Sequence, residues 1–104
     1  MIDPLEQKRI DTALSLFGAV SVIVSDTILS IEDRKYLIEQ LVKYYVYYYR
    51  YFANIREGGS AYTRNRISLK AQTAKSNIVA FYTAHREVPQ ITISKLFPND
   101  DNRQ

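Results

Sequence analysis

Leu37-Ile38-Glu39-Gln40-Leu41-Val42-Lys43-Tyr44-Tyr45-Val46-Tyr47-Tyr48-Tyr49-Arg50-Tyr51-Phe52-Ala53-Asn54-Ile55 holds six of the nine tyrosines of the chain. They keep to no single face of a regular element. Helical spacing sorts the stretch into two apolar rows, Leu37/Leu41/Tyr44/Tyr48/Phe52 and Ile38/Val42/Tyr45/Tyr49. A third, polar row runs through Tyr36, Glu39, Lys43, Tyr47, Arg50 and Asn54, with Glu39 and Lys43 in a favourable i,i+4 order. Two apolar rows on one helix require two neighbours.

The boundaries of this helix are legible. Ser30-Ile31-Glu32-Asp33 is a capping sequence with an acidic first turn that suits the helix dipole. Gly58-Gly59 supplies the conformational freedom at which helices stop. A helix from Ser30 to about Arg56 spans roughly 38 Å, longer than a small domain needs.

Upstream, Asp3-Pro4-Leu5-Glu6 places a cap acceptor, a proline at the first helical position and an early glutamate. Ile10, Ala13, Leu14, Phe17 and Val24 recur at helical spacing, and Leu16, Ala19 and Ile23 widen the stripe. Only a narrow polar face around Thr12, Ser15 and Val22 is left, so this helix is expected to be packed on more than one side. Gly18 costs about 1 kcal/mol in a helix interior and points to close approach by another backbone. The β-branched run Val20 to Val24 leaves a local strand open as an alternative.

Downstream, a third helix is expected from between Ser60 and Thr63 to His85, with Ile67, Ala71, Ala74, Ile78 and Tyr82 or Phe81 as its apolar row. Its small residues admit a close neighbour. Val88-Pro89 ends it, because a residue before proline avoids the helical region. Residues 90–97 read equally as a short strand or as one to two helical turns. Residues 1–98 form one helical domain on this reading, and 99–104 a polar, disordered tail. The fold class is all-α: a long helical hairpin with a further helix against it, a three- to four-helix bundle completed by oligomerisation.

Charge is uneven along the chain. Residues 1–42 carry a net −3, residues 43–86 a net +7 with Glu57 the lone carboxylate, and the remainder a net −1. A clustered basic surface attracts phosphates or acidic proteins. The residues that would contact such a partner are Lys43, Tyr47, Arg50, Arg56, Arg64, Arg66, Lys70 and Lys75. Tyr47, on the polar row beside Lys43 and Arg50, is the tyrosine left for an outside ligand. Tyr44, Tyr45, Tyr48, Tyr49 and Phe52 are the expected subunit interface, since interfaces favour large amphipathic side chains.

Catalytic and metal chemistry find little footing. The chain has no cysteine and a single histidine, His85, which near a helix end serves the last carbonyls. Glu32, Asp33 and Glu39 read as cap and surface charges, and Gly58-Gly59-Ser60 lacks the lysine and spacing of a phosphate-binding P-loop. Residues 80–97 have the layout of a helix-turn-helix, but Glu87 stands where the turn wants glycine, and the likeness is taken as chance. No cofactor is expected. The longest uncharged run, Thr12 to Ser25, is too short to span a bilayer, and no basic secretory start follows Met1, so a cytoplasmic location is expected.

The expectation is a non-enzymatic interaction or regulatory protein acting through its tyrosine-rich helix and basic surface, with itself and an acidic protein surface as partners. A nucleic-acid-binding accessory protein using the Arg and Lys of residues 43–86 is the alternative. A self-assembling structural subunit is a further one.

Overall fold

Asp3 accepts from the Glu6 amide at 3.2 Å and Pro4 opens the first turn, so helix α1 begins where its capping residues dictate and runs Pro4–Val24. The computed structural model describes residues 3–98, so the expected disordered tail at 99–104 lies outside the described residues. Helix α2 runs Ile31–Arg56, with the Ser30 hydroxyl accepting from the Asp33 amide at 3.1 Å. It ends at Gly58, which adopts φ +71°, and the Gly59 amide closes back on the Asn54 carbonyl at 2.8 Å. Helix α3 runs Ala61–His85, capped by Ser60, whose hydroxyl oxygen accepts from the Thr63 amide at 3.1 Å. Helix α4 runs Pro89–Leu96. The described residues contain no strand, so both strand alternatives, Val20 to Val24 and residues 90–97, resolve as helix. Proline at the first position of α4 starts that short helix, and its stability comes from burial of Ile93, Leu96 and Phe97.

Helices α2 and α3 form the long hairpin in a molecule of 43 × 31 × 28 Å. Ala71 and Ala74 let α3 lie close to α2, and the buried Gln40 accepts from the Asn77 amide group at 3.1 Å across the seam. Helix α1 packs along the opposite side of α2. Helix α4 closes the remaining gap against α1 and α3. Leu37, Leu41, Ile78, Ile23 and Leu96 are fully buried at the centre. At about 25 cal/mol per Å², such side chains each contribute roughly 1.5–3 kcal/mol of hydrophobic stabilisation.

Helix α1 faces the other way from expectation. Thr12, Ser15 and Val22, read as the solvent face, are half-buried, whereas Ile10, Leu14 and Phe17 are 44, 65 and 75 % exposed. The tyrosine-rich side of α2 can accept polar neighbours, and this decides the orientation. Thr12 satisfies its own hydroxyl on the Lys8 carbonyl at 2.7 Å. The Lys8 ammonium donates to the Tyr48 hydroxyl at 3.0 Å and lies 4.5 Å from the centre of that ring. Helix α1 packs on both α2 and α4, but among the described residues its Leu14/Phe17 side is left exposed, and a side-chain carbon built at Gly18 would meet nothing within 4 Å.

Candidate functional site

Tyr47 and Lys70 face each other across the α2–α3 seam and are the centre of a basic, aromatic groove. On α2, Lys43, Tyr47 and Arg50 succeed one another at helical spacing. On α3, Arg66 and Lys70 do the same from the other side. Together with Ser60, Tyr62 and Thr63 at its mouth, Tyr47, Arg50, Arg66 and Lys70 line a cavity of about 470 Å³. The same seam continues past Tyr47 and Lys70 into a second hollow of about 360 Å³, where Lys43 joins the lining. Among the described residues no carboxylate lines either hollow.

Aromatic faces hold these cations in place. The Arg50 guanidinium and the Lys70 ammonium each lie 5.4 Å from the centre of the Tyr47 ring. Arg66 lies 5.8 Å from the ring of Tyr62, itself 63 % exposed. A cation over an aromatic face is worth about 0.5–1 kcal/mol at an exposed site, enough to orient a side chain without neutralising it. The first turn of α3 carries no acidic residue, so the positive end of its dipole adds to the field at the mouth. The arrangement can bind and partly neutralise a chain of anions.

The expected contact residues are divided by the fold. Lys43, Tyr47, Arg50, Arg66 and Lys70 come together in the groove. Arg64, Lys75 and Arg56 do not. Helical spacing puts Arg64 in the row of Ser68, Ala71 and Lys75, and Lys75 lines a different cleft and lies 5.1 Å from the Phe97 ring. Arg56 is exposed in the last turn of α2. Tyr62 was missed by the sequence reading, although its i,i+4 spacing to Arg66 was a visible signal.

The residues expected at a subunit interface lie inside the chain or against its own helices. Tyr44 and Tyr45 are buried, and Phe97 packs on Tyr44 with ring centres 4.9 Å apart. Tyr48, Tyr49 and Phe52 are half-buried, with Lys8 of α1 over the rings of Tyr48 and Phe52. The second neighbour that the two apolar rows require is thus supplied by α1 and α4. Burial uses up Tyr44 and Tyr45 before a second subunit could reach them.

Away from the groove, the His85 Nδ1 lies 2.7 Å from the Phe81 carbonyl oxygen, as a helix-terminal histidine should. Among the described residues no group of His, Asp or Glu is arranged to hold a metal ion, and no helix is long and apolar enough to cross a membrane. Comparison with protein-family models, with curated proteins and with solved structures finds no match to this chain.

Proposed function

We propose that this protein is a non-enzymatic interaction protein whose α2–α3 groove binds single-stranded nucleic acid. One observation carries the reading: Arg50 and Lys70 converge on Tyr47 at 5.4 Å in a groove with no carboxylate among the described residues of its lining. Cations that track a backbone, interleaved with aromatic faces, are what a single strand needs, because phosphates supply charge and unpaired bases supply flat surfaces. Tyr62, with Arg66 beside it, is the ring open to a base. A duplex would require a helix or ribbon that projects into a groove, and this seam is concave.

Titration of a labelled single-stranded oligonucleotide over a range of salt tests this. Contacts from Lys43, Arg50, Arg66 and Lys70 give a slope of log affinity against log salt of roughly −3. A flat response sinks the proposal. Polyglutamate that binds as tightly as the oligonucleotide would instead assign the groove to an acidic protein surface.

A further inference from the structure

The outer face of α1 is an apolar surface that no other described residue covers. Ile10, Leu14, Phe17, Ser21 and Val24 follow one another at alternating spacings of four and three, the pattern of a helix-packing seam. Ile28 and Ile31, at the turn beyond α1, are 84 and 63 % exposed. Between α1 and α2 the surface continues as an apolar groove of about 280 Å³ lined by Ala13, Leu16, Val46 and Tyr49. The exposed apolar side chains of α1 and the turn alone present on the order of 700 Å², beyond the few hundred usual for a monomer and close to the ~800 Å² per partner of a specific interface.

We infer that a second copy of this chain covers this face, its α1 packed antiparallel on the first. Two observations select a second copy over another occupant. The first is self-complementarity. Phe17, 75 % exposed, is a knob, and its neighbour Gly18 has open space above it. A two-fold axis through this point sets each Phe17 over the other copy's Gly18, as an isologous contact requires. The second is the absence of charge from Thr12 to Ser25, so the centre of the contact desolvates no ion.

A lipid surface would want a dense Lys/Arg margin along the whole stripe, which α1 lacks.

Light scattering and sedimentation of the full chain decide the matter. The wild-type protein should have about twice the chain mass of 12.1 kDa. Phe17→Asp and Leu14→Lys, both on exposed positions, should each weaken association by roughly 30-fold or more with unchanged helical circular dichroism. The chain has no cysteine, so Gly18→Cys provides a single thiol. Under a mild oxidant it should form a covalent dimer faster than Glu39→Cys does.

A wild-type chain that stays at 12.1 kDa at high micromolar concentration overturns the inference. So does a Phe17→Asp variant that remains dimeric, a Gly18→Cys variant that couples no faster than Glu39→Cys, or a monomer that co-sediments with zwitterionic lipid vesicles. Nucleic-acid affinity per chain should be the same for Phe17→Asp and wild type, so the face and the groove stand or fall separately.

Discussion

The Tyr45 hydroxyl donates to the Leu96 carbonyl oxygen at 2.6 Å, joining the middle of α2 to the last residue of α4. Leu96 is the kind of helix-terminal carbonyl that has no partner inside its own helix. Tyr45 supplies one from a position that is only 5 % exposed. Tyr45→Phe keeps the ring and removes the donor, leaving a buried acceptor unsatisfied. The variant should lose about 1–3 kcal/mol in urea unfolding, and amide exchange should show α4 opening before the α2–α3 hairpin.

Tyr82 is the opposite case. Its hydroxyl is buried with no hydrogen-bond partner, so Tyr82→Phe removes an unsatisfied polar atom without opening a cavity. This variant should be as stable as wild type or more stable by up to about 1 kcal/mol in the same unfolding assay.

Alkaline titration reads the same residue. Burial, helped by the negative charge of Asp26 and opposed by Arg86, pushes the Tyr82 hydroxyl from its usual 10.0 up to about 12. The folded state therefore keeps this proton after the unfolded state has lost it. The stability it contributes is complete below pH 10, and is lost as pH rises from 10 toward 12. Near-ultraviolet absorbance should show one phenolate forming late. Denaturant midpoints should fall less steeply across that window for Tyr82→Phe than for wild type.

Arg86 and Asp26 tie the α1–α2 turn to the end of α3, with guanidinium and carboxylate 2.5 Å apart and side chains 22 and 17 % exposed. Such a pair lies between a surface bridge and a buried one. Arg86→Ala and Asp26→Ala should each cost about 1–3 kcal/mol, and the double variant less than their sum, with a coupling of about 1 kcal/mol in a double-mutant cycle. Full additivity would show that the bridge contributes nothing.

For the groove, position outweighs charge. Arg66→Ala and Lys70→Ala should each flatten the salt slope for a single strand by about 0.7, the value for one phosphate contact. Arg64→Ala and Lys75→Ala remove the same charge from another face and should leave the slope unchanged. Equal effects from all four would mean that net charge, not the groove, does the binding. Tyr62→Ala should weaken binding at every salt concentration by a similar factor, because stacking releases no counterion.

Much of the architecture was legible because its signals are local. Asp3-Pro4, Ser30 and Ser60 act on backbone amides within one turn, Gly58 is free to take the left-handed φ that ends α2, and Pro89 restricts its own dihedral angle and those of the residue before it. Such signals need no tertiary partner, so the ends of α1, α2 and α3 fall where the residues place them. Residues 90–97 were ambiguous because eight residues are too few to hold a helix by propensity alone. Burial of Leu96 and Phe97 decided them.

By itself, then, the sequence determined that this chain is helical, where its long helices start and stop, and that its cations concentrate after Lys43. The tertiary structure decided which sides of those helices are covered. Helix α1 is apolar on both sides, and its periodicity gives rows without saying which row meets a neighbour. The neighbour chose, because the Tyr48 hydroxyl of α2 accepts from Lys8, and Thr12 satisfies itself, leaving Leu14 and Phe17 outside. The cations were sorted in the same way. A helix distributes charges around its axis, and only the approach of α3 to α2 placed Lys70 opposite Tyr47 while turning Lys75 toward Phe97.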